Sequence, residues 1–189
     1  MNKQQTQKIR ETLAILKGQP LCFVFRFGDM ICFEFGEVIT KKVHAKGKNS
    51  KLKLADVQAG RYVLHIQTYC RVSAGSETLF TSGDVYQPSM ALENDEAFDY
   101  EAFNWELKGN NLFDEVVAQR FSNLSDFIIS RVSINRLGDT TIAFRNGYVL
   151  EILPNVSNAE ECWRFFENGP KKGHLVVTGS GIEGEVNDE

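Results

Sequence analysis

Leu21-Cys22-Phe23-Val24-Phe25-Arg26-Phe27-Gly28-Asp29-Met30-Ile31-Cys32-Phe33-Glu34-Phe35 is the stretch that decides how this chain folds. On both sides of Gly28-Asp29 a large apolar residue recurs at every second position. A period of two marks a strand with one buried face. Glycine tolerates the backbone of a tight turn, and the aspartate side chain can hydrogen-bond its own backbone there. Residues 21–27 and 30–39 therefore read as a β-hairpin.

Working outward, Ile9, Leu13 and Leu16 fall at i, i+4 and i+7 and predict an N-terminal helix stopped by Gly18 and Pro20. The lysine-rich stretch 41–53 reads as a loop with a short strand at 51–55. Residues 61–71 form a strong strand after Gly60, and 78–81 a further one. An irregular connection covers 87–97, and the alternation of Phe98/Tyr100 and Phe103/Trp105/Leu107 suits short strands. Asn111 with Asp114 matches the N-cap and first turn of a second helix. Strand composition returns at 126–136, 140–145 and 148–153. Ser157-x-x-Glu160 fits a capping box and predicts a third helix through Cys162, Phe165 and Phe166. Residues 174–178 make a last strand. The fold class is α+β, mainly antiparallel sheet with about three helices. The 189 residues suit one compact globular unit, with 183–189 as a flexible acidic tail.

Two stretches share an order of landmarks. Arg26-Phe27-Gly28-Asp29 is followed by a strand, Gly60-Arg61-Tyr62-Val63-Leu64, Cys70-Arg71 and Thr81-Ser82-Gly83. Arg136-Leu137-Gly138-Asp139 is followed by a strand, Gly147-Tyr148-Val149-Leu150, Cys162-Trp163-Arg164 and Thr178-Gly179-Ser180-Gly181. This order predicts related, pseudo-symmetric β halves at 20–90 and 125–182 from an internal duplication. The strand Tyr62 to Arg71 with Gly83-Asp84, and the stretch Gly138-Asp139 to Phe166, resemble an uncharacterised family of small bacterial proteins. Some of these are thought of alongside toxin systems. The resemblance implies an immunity or interaction role and assigns no site residue.

Hydrophobic residues make up 42% of the chain and Phe alone accounts for 14 positions, enough for a sizeable core. No apolar run approaches the roughly 18 residues that span a bilayer, and the N-terminus is polar. The expectation is a cytoplasmic protein with no membrane contact. Net charge is −4, which argues against a nucleic-acid partner. The charge is unevenly placed. Residues 41–53 carry six lysines (Lys41, Lys42, Lys46, Lys48, Lys51, Lys53) and His44 with no acid. Residues 93–106 carry six acids (Glu93, Asp95, Glu96, Asp99, Glu101, Glu106) with no base.

Gly179-Ser180-Gly181-Ile182-Glu183-Gly184 spells a dinucleotide-binding fingerprint, but the helix and distant acidic residue that such a site needs have no room after it. No nucleophile elbow, P-loop or tight metal-ligand spacing is present, so no cofactor, metal or catalytic residue is assigned. Gly28-Asp29 and Gly138-Asp139 read as turns rather than a carboxylate dyad. On strand 61–71, Val63, His65, Gln67, Tyr69 and Arg71 share one face, and Tyr62, Leu64, Ile66, Thr68 and Cys70 share the core face. His65, Gln67, Tyr69 and Arg71, with Asp84, are candidates for binding a small polar or anionic ligand. In 93–106, Asp95, Glu96, Asp99, Tyr100, Glu101 and Trp105 are candidates for docking a basic protein, since charge steers the encounter and the rings supply contact. A non-catalytic binding or protein-interaction module is the first reading. A ligand-binding protein and an enzyme of unrecognised type are the alternatives.

Cys22, Cys32, Cys70 and Cys162 are widely spaced, with no disulfide framework. Thiol titration of denatured, unreduced protein should return four free thiols. A count of two would overturn the reading.

Overall fold

The computed structural model describes residues 1–46, 52–169 and 173–186. The decisive hairpin forms as read. Strand β1 (Leu21–Phe27) pairs antiparallel with β2 (Met30–Lys46), and Gly28 takes φ 63° in the turn between them. Strand β3 (Leu52–Ile66) completes a meander. The chain then crosses at Gln67-Thr68 into a second sheet and forms the hairpin β4 (Tyr69–Ala74) and β5 (Glu77–Thr81). A second meander follows, of β6 (Ile129–Ile134), β7 (Thr140–Phe144) and β8 (Tyr148–Leu153). It is followed by β9 (Glu161–Glu167), β10 (His174–Thr178) and β11 (Gly181–Val186), which return to the first sheet.

The strand orders are β1-β2-β3-β9-β10-β11 and β5-β4-β8-β7-β6, so the first sheet joins the meander of the first half to three strands of the second, and the second sheet joins the meander of the second half to the β4–β5 hairpin of the first. The joints are antiparallel: Tyr62–Ile66 against Trp163–Glu167, and Tyr69–Ala74 against Tyr148–Leu153. Helix α1 (Lys3–Leu13) precedes the first meander and packs on β6 of the second. Helix α3 (Leu112–Arg120) precedes the second meander and packs on β1 and β5 of the first. An isolated bridge, Pro20 to Ile128, links the two segments that lead into β1 and β6. Each half thus runs helix, three-stranded meander and crossing to the other sheet, with β3 and β8 at the seams, while β11 has no counterpart in the first half.

Both sheets and both helices feed one core. Phe33, Phe35, Leu64 and Trp163 from the first sheet, Phe80, Ile142 and Leu150 from the second, and Ile9, Leu13 and Phe113 from the helices are all fully buried. Each such side chain stabilises the fold by roughly 1.5–3 kcal/mol of transfer free energy. The four cysteines are free thiols.

Several expectations are corrected. Residues 161–167 are strand, not helix: β9 lies between β3 and β10, and ladder bonds on both edges outweigh the local capping signal. At that site Asn158 accepts the Glu160 backbone N–H. Residues 98–107 form no strand. Asp95, Asp99 and Asn104 each accept the backbone N–H two residues on, at 2.9, 2.9 and 3.0 Å, and these turns bend the chain every few residues. A single 3-10 turn, Tyr100–Ala102, lies here instead, and a four-residue helix α2 (Met90–Glu93) opens the connection before it. The lysine-rich stretch is mostly strand where it is described: β2 runs on to Lys46 and the expected short strand is the start of a much longer β3, the two paired as a ribbon. Lys48 and Lys51 lie outside the described residues. The acidic tail is strand β11 as far as Val186, and Asp188 and Glu189 also lie outside the described residues.

Strand β1 shows a subtler departure. A bulge between Leu21 and Phe23 shifts the alternation by one residue. Leu21 enters the core opposite Phe35, whereas Phe23 and Phe25 align with Glu34 and Cys32 on the outer face. Arg26 is thereby turned inward. Its guanidinium donates to both Asp114 carboxylate oxygens at 2.9 Å, to the carbonyls of Trp105, Glu106 and Leu107, and to that of Gly28. The side chains of this pair are only 7% and 11% exposed. Arg26→Met would leave Asp114 and several carbonyls without their donor, at a cost of about 3 kcal/mol. Urea unfolding should read that loss, and a change within error would show that the clamp contributes nothing.

Candidate functional site

The row of ligand candidates is dispersed by the crossing at Gln67-Thr68. The parity itself holds, since Tyr62, Leu64, Ile66, Thr68 and Cys70 are all buried. The opposite set, however, is shared between two sheets. His65 lies on the outer face of the first sheet, with Cys32 and Arg164 as cross-strand neighbours and its ring edge-on to Phe166 at 5.1 Å. Gln67 and Tyr69 are exposed at the crossing, where a depression of about 290 Å³ also takes in Asp29, Ser82 and Tyr86. Arg71 sits on the second sheet with its Nε 2.9 Å from Glu151. Asp84 accepts the Thr81 backbone N–H and hydroxyl, closing a helical turn. Of the five, Gln67 and Tyr69 share this depression, and His65, Arg71 and Asp84 do not line it. A larger groove, about 850 Å³, runs between α1 and β10–β11 and contains none of them.

His65 and Cys32 set a base and a thiol on facing positions of β3 and β2. Burial and the nearby Glu34 carboxylate push the Cys32 thiol up to about 12. Burial, then the positive charges of Arg164, Lys41 and His174, hold the His65 imidazole down at about 4, with Glu161 opposing. A catalytic thiolate–imidazolium pair needs the reverse of both shifts. The pair is neutral at pH 7 and serves packing.

The acidic segment is assembled differently. Asp95, Glu96, Asp99 and Glu101 are all exposed. Phe98 packs edge-on to Tyr100 and Phe103, at 4.8 and 6.0 Å, so a small aromatic cluster props up the acids. Tyr100 remains 65% exposed, its hydroxyl donating to Glu93. Trp105 turns in against the core and Tyr86, and its carbonyl is one that Arg26 holds. Trp105 therefore anchors the segment, while Tyr100 is its exposed ring.

Arg26 also draws this segment against the β1–β2 turn, because one guanidinium spans Gly28 and Leu107. Phe27, 76% exposed at the hairpin tip, and Leu107, 56% exposed, are thereby brought to the same end of the molecule. Tyr86 completes the connection by donating to Asp29 at 2.7 Å. Phe27, Tyr86 and Leu107 were not singled out by sequence reasoning. The available signal was Arg26, a charge inside an otherwise apolar alternation.

Among the described residues no group of three or more His, Cys, Asp or Glu side chains is assembled for a metal ion. No helix among them is long and apolar enough to cross a membrane. No family model, curated protein or solved structure matches the chain.

The His65 environment has a signature in pH. Its folded pKa lies below the ordinary 6.5, so the unfolded chain takes up the proton first. The contribution of His65 to stability is therefore intact above pH 6.5 and is lost as pH falls toward 4. NMR titration of the His65 ring should give a midpoint near 4. A midpoint at its ordinary value would refute the buried, cation-flanked environment.

Proposed function

We propose that this protein is a non-catalytic protein-interaction module whose 93–106 segment docks a basic protein, an immunity-like role. The observation that carries the proposal is the fixed presentation of the acids. Asp95, Glu96, Asp99 and Glu101 are exposed, yet their segment is held at its far end by a buried Arg26–Asp114 pair. A flexible acidic tail would have to be ordered on binding, whereas a pre-positioned surface avoids most of that entropic cost. Tyr100, Leu107 and Phe27 add exposed apolar area within the same end of the molecule, and rings flanked by charge are what binding hot spots are made of. The matching course of the two halves supports a further proposal, that the scaffold arose by internal duplication. The linking segment between α2 and α3 lies outside the repeated pattern and carries the surface.

A fluorescently labelled lysine-rich peptide tests the reading by anisotropy at low and raised salt. Asp95→Lys/Glu96→Lys/Asp99→Lys/Glu101→Lys should weaken binding by about tenfold or more and flatten its salt dependence. Tyr100→Ala should weaken binding at unchanged charge, whereas His65→Ala and Arg71→Ala should leave it intact. Unaltered affinity in the acid-reversed protein would remove this surface.

A further inference from the structure

Beyond Val38 and Gly60, β2 and β3 leave the first sheet and continue as a two-stranded ribbon. Nine residue pairs, from Val38–Gly60 to Lys46–Leu52, extend it by about 30 Å. Neither edge of this ribbon pairs with another strand among the described residues. The departure is built in: Gly36 takes φ 87°, the register shifts between Phe35 and Val38, and Glu34 accepts the Gly60 backbone N–H at 2.7 Å. A Cβ on Gly60 would lie 2.8 Å from the Phe35 backbone nitrogen, so only glycine fits at the exit. Among the described ribbon residues are Lys41, Lys42, Lys46 and Lys53, against the single acid Asp56. Lys42 is exposed, and so are Leu54, at 61%, and Val38.

An isolated two-stranded ribbon is marginal in water, and unpaired strand edges invite another chain. The same molecule carries the opposite charge at its other end. The 93–106 segment is fixed to the β1–β2 turn, while the ribbon leaves from the opposite end of those strands, about 25 Å away along β2. The two charge sets of one molecule are thus directed apart. Directed apart in this way, they are placed to meet between molecules.

We propose that the basic partner of the 93–106 surface is a second copy of this chain, which docks its lysine-bearing ribbon there, head to tail. The proposal rests on the reading of 93–106 as a docking surface. The contact is heterologous: each copy offers a ribbon to one neighbour and an acidic surface to another. Such an interface closes into a ring or grows as a filament, according to the rotation it imposes. Lys42 would face the exposed carboxylates, with Leu54 and Val38, on the same face of the ribbon, meeting Tyr100 and Leu107.

Sedimentation velocity of the whole chain at low and high salt tests this. The wild type should sediment as a larger, concentration-dependent species at low salt and as a monomer at high salt. Lys42→Glu/Lys46→Glu/Lys53→Glu and Asp95→Lys/Glu96→Lys/Asp99→Lys/Glu101→Lys should each be monomeric alone. An equimolar mixture should associate again, because the second variant's basic ribbon finds the first variant's acids. The milder Lys42→Gln/Lys46→Gln should reduce association, and superimposable circular dichroism spectra exclude misfolding. A monomeric wild type at low salt, or a mixture that stays monomeric, overturns the proposal. If the labelled lysine-rich peptide still binds 93–106 in that case, only self-association falls. Loss of peptide binding as well would bring down the docking surface with it.

Discussion

The two seams at which β3 meets β9 and β4 meets β8 hold the rest of the structure in place. Neither sheet is complete within one half of the chain. Each three-stranded meander is extended by strands of the other half, three in the first sheet and two in the second, and the crossings at Gln67-Thr68 and 154–160 follow from that exchange. The exchange puts the inner faces of both sheets over a single core, so Trp163 and Phe33 from the first sheet share a core with Ile142 and Leu150 from the second. Helices α1 and α3 then cover elements of the half to which they do not belong. Loss of either seam would expose two apolar faces at once.

On that frame the molecule stations a second, polar constraint. Arg26 would be an ordinary surface residue of a hairpin if the bulge near Cys22 did not turn it inward. Once inside, it must be paired, because an isolated guanidinium is costly to bury. Asp114 from α3 and the carbonyls of 105–107 supply the partners. One desolvated cation thereby ties the first hairpin, the acidic segment and α3 together. The fixed display of carboxylates is a consequence of satisfying Arg26.

Charge separation along the molecule has the same origin in backbone geometry. The β1–β2 turn and the exit at Gly36 lie at opposite ends of one hairpin, with the acidic segment tied to the first and the lysines of the ribbon beyond the second. Coulomb forces between exposed groups are modest and screened within about 10 Å at ordinary ionic strength. Steering by such a dipole of patches therefore acts on approach, while Tyr100, Phe27 and Leu107 supply what contact energy the surface has.

Much of this was legible in the sequence where the deciding physics is local. The Gly28-Asp29 turn, the alternation over 62–70 and the Asn111 cap depend on a few neighbouring residues, and the structure contains each of them. The separation of lysines from acids was equally plain. The identity of partners was not. Residues 161–167 carry helical spacing and a capping box, yet they are strand because β3 and β10 offer backbone bonds on both sides. His65, Gln67, Tyr69 and Arg71 sit in period-two register, yet the chain changes sheets between them, since Thr68 bonds to the Leu153 carbonyl and Asn155 at the crossing. Periodicity records which residues share a face, whereas the sheet that face belongs to is set by hydrogen bonds to strands some 80 to 100 residues away.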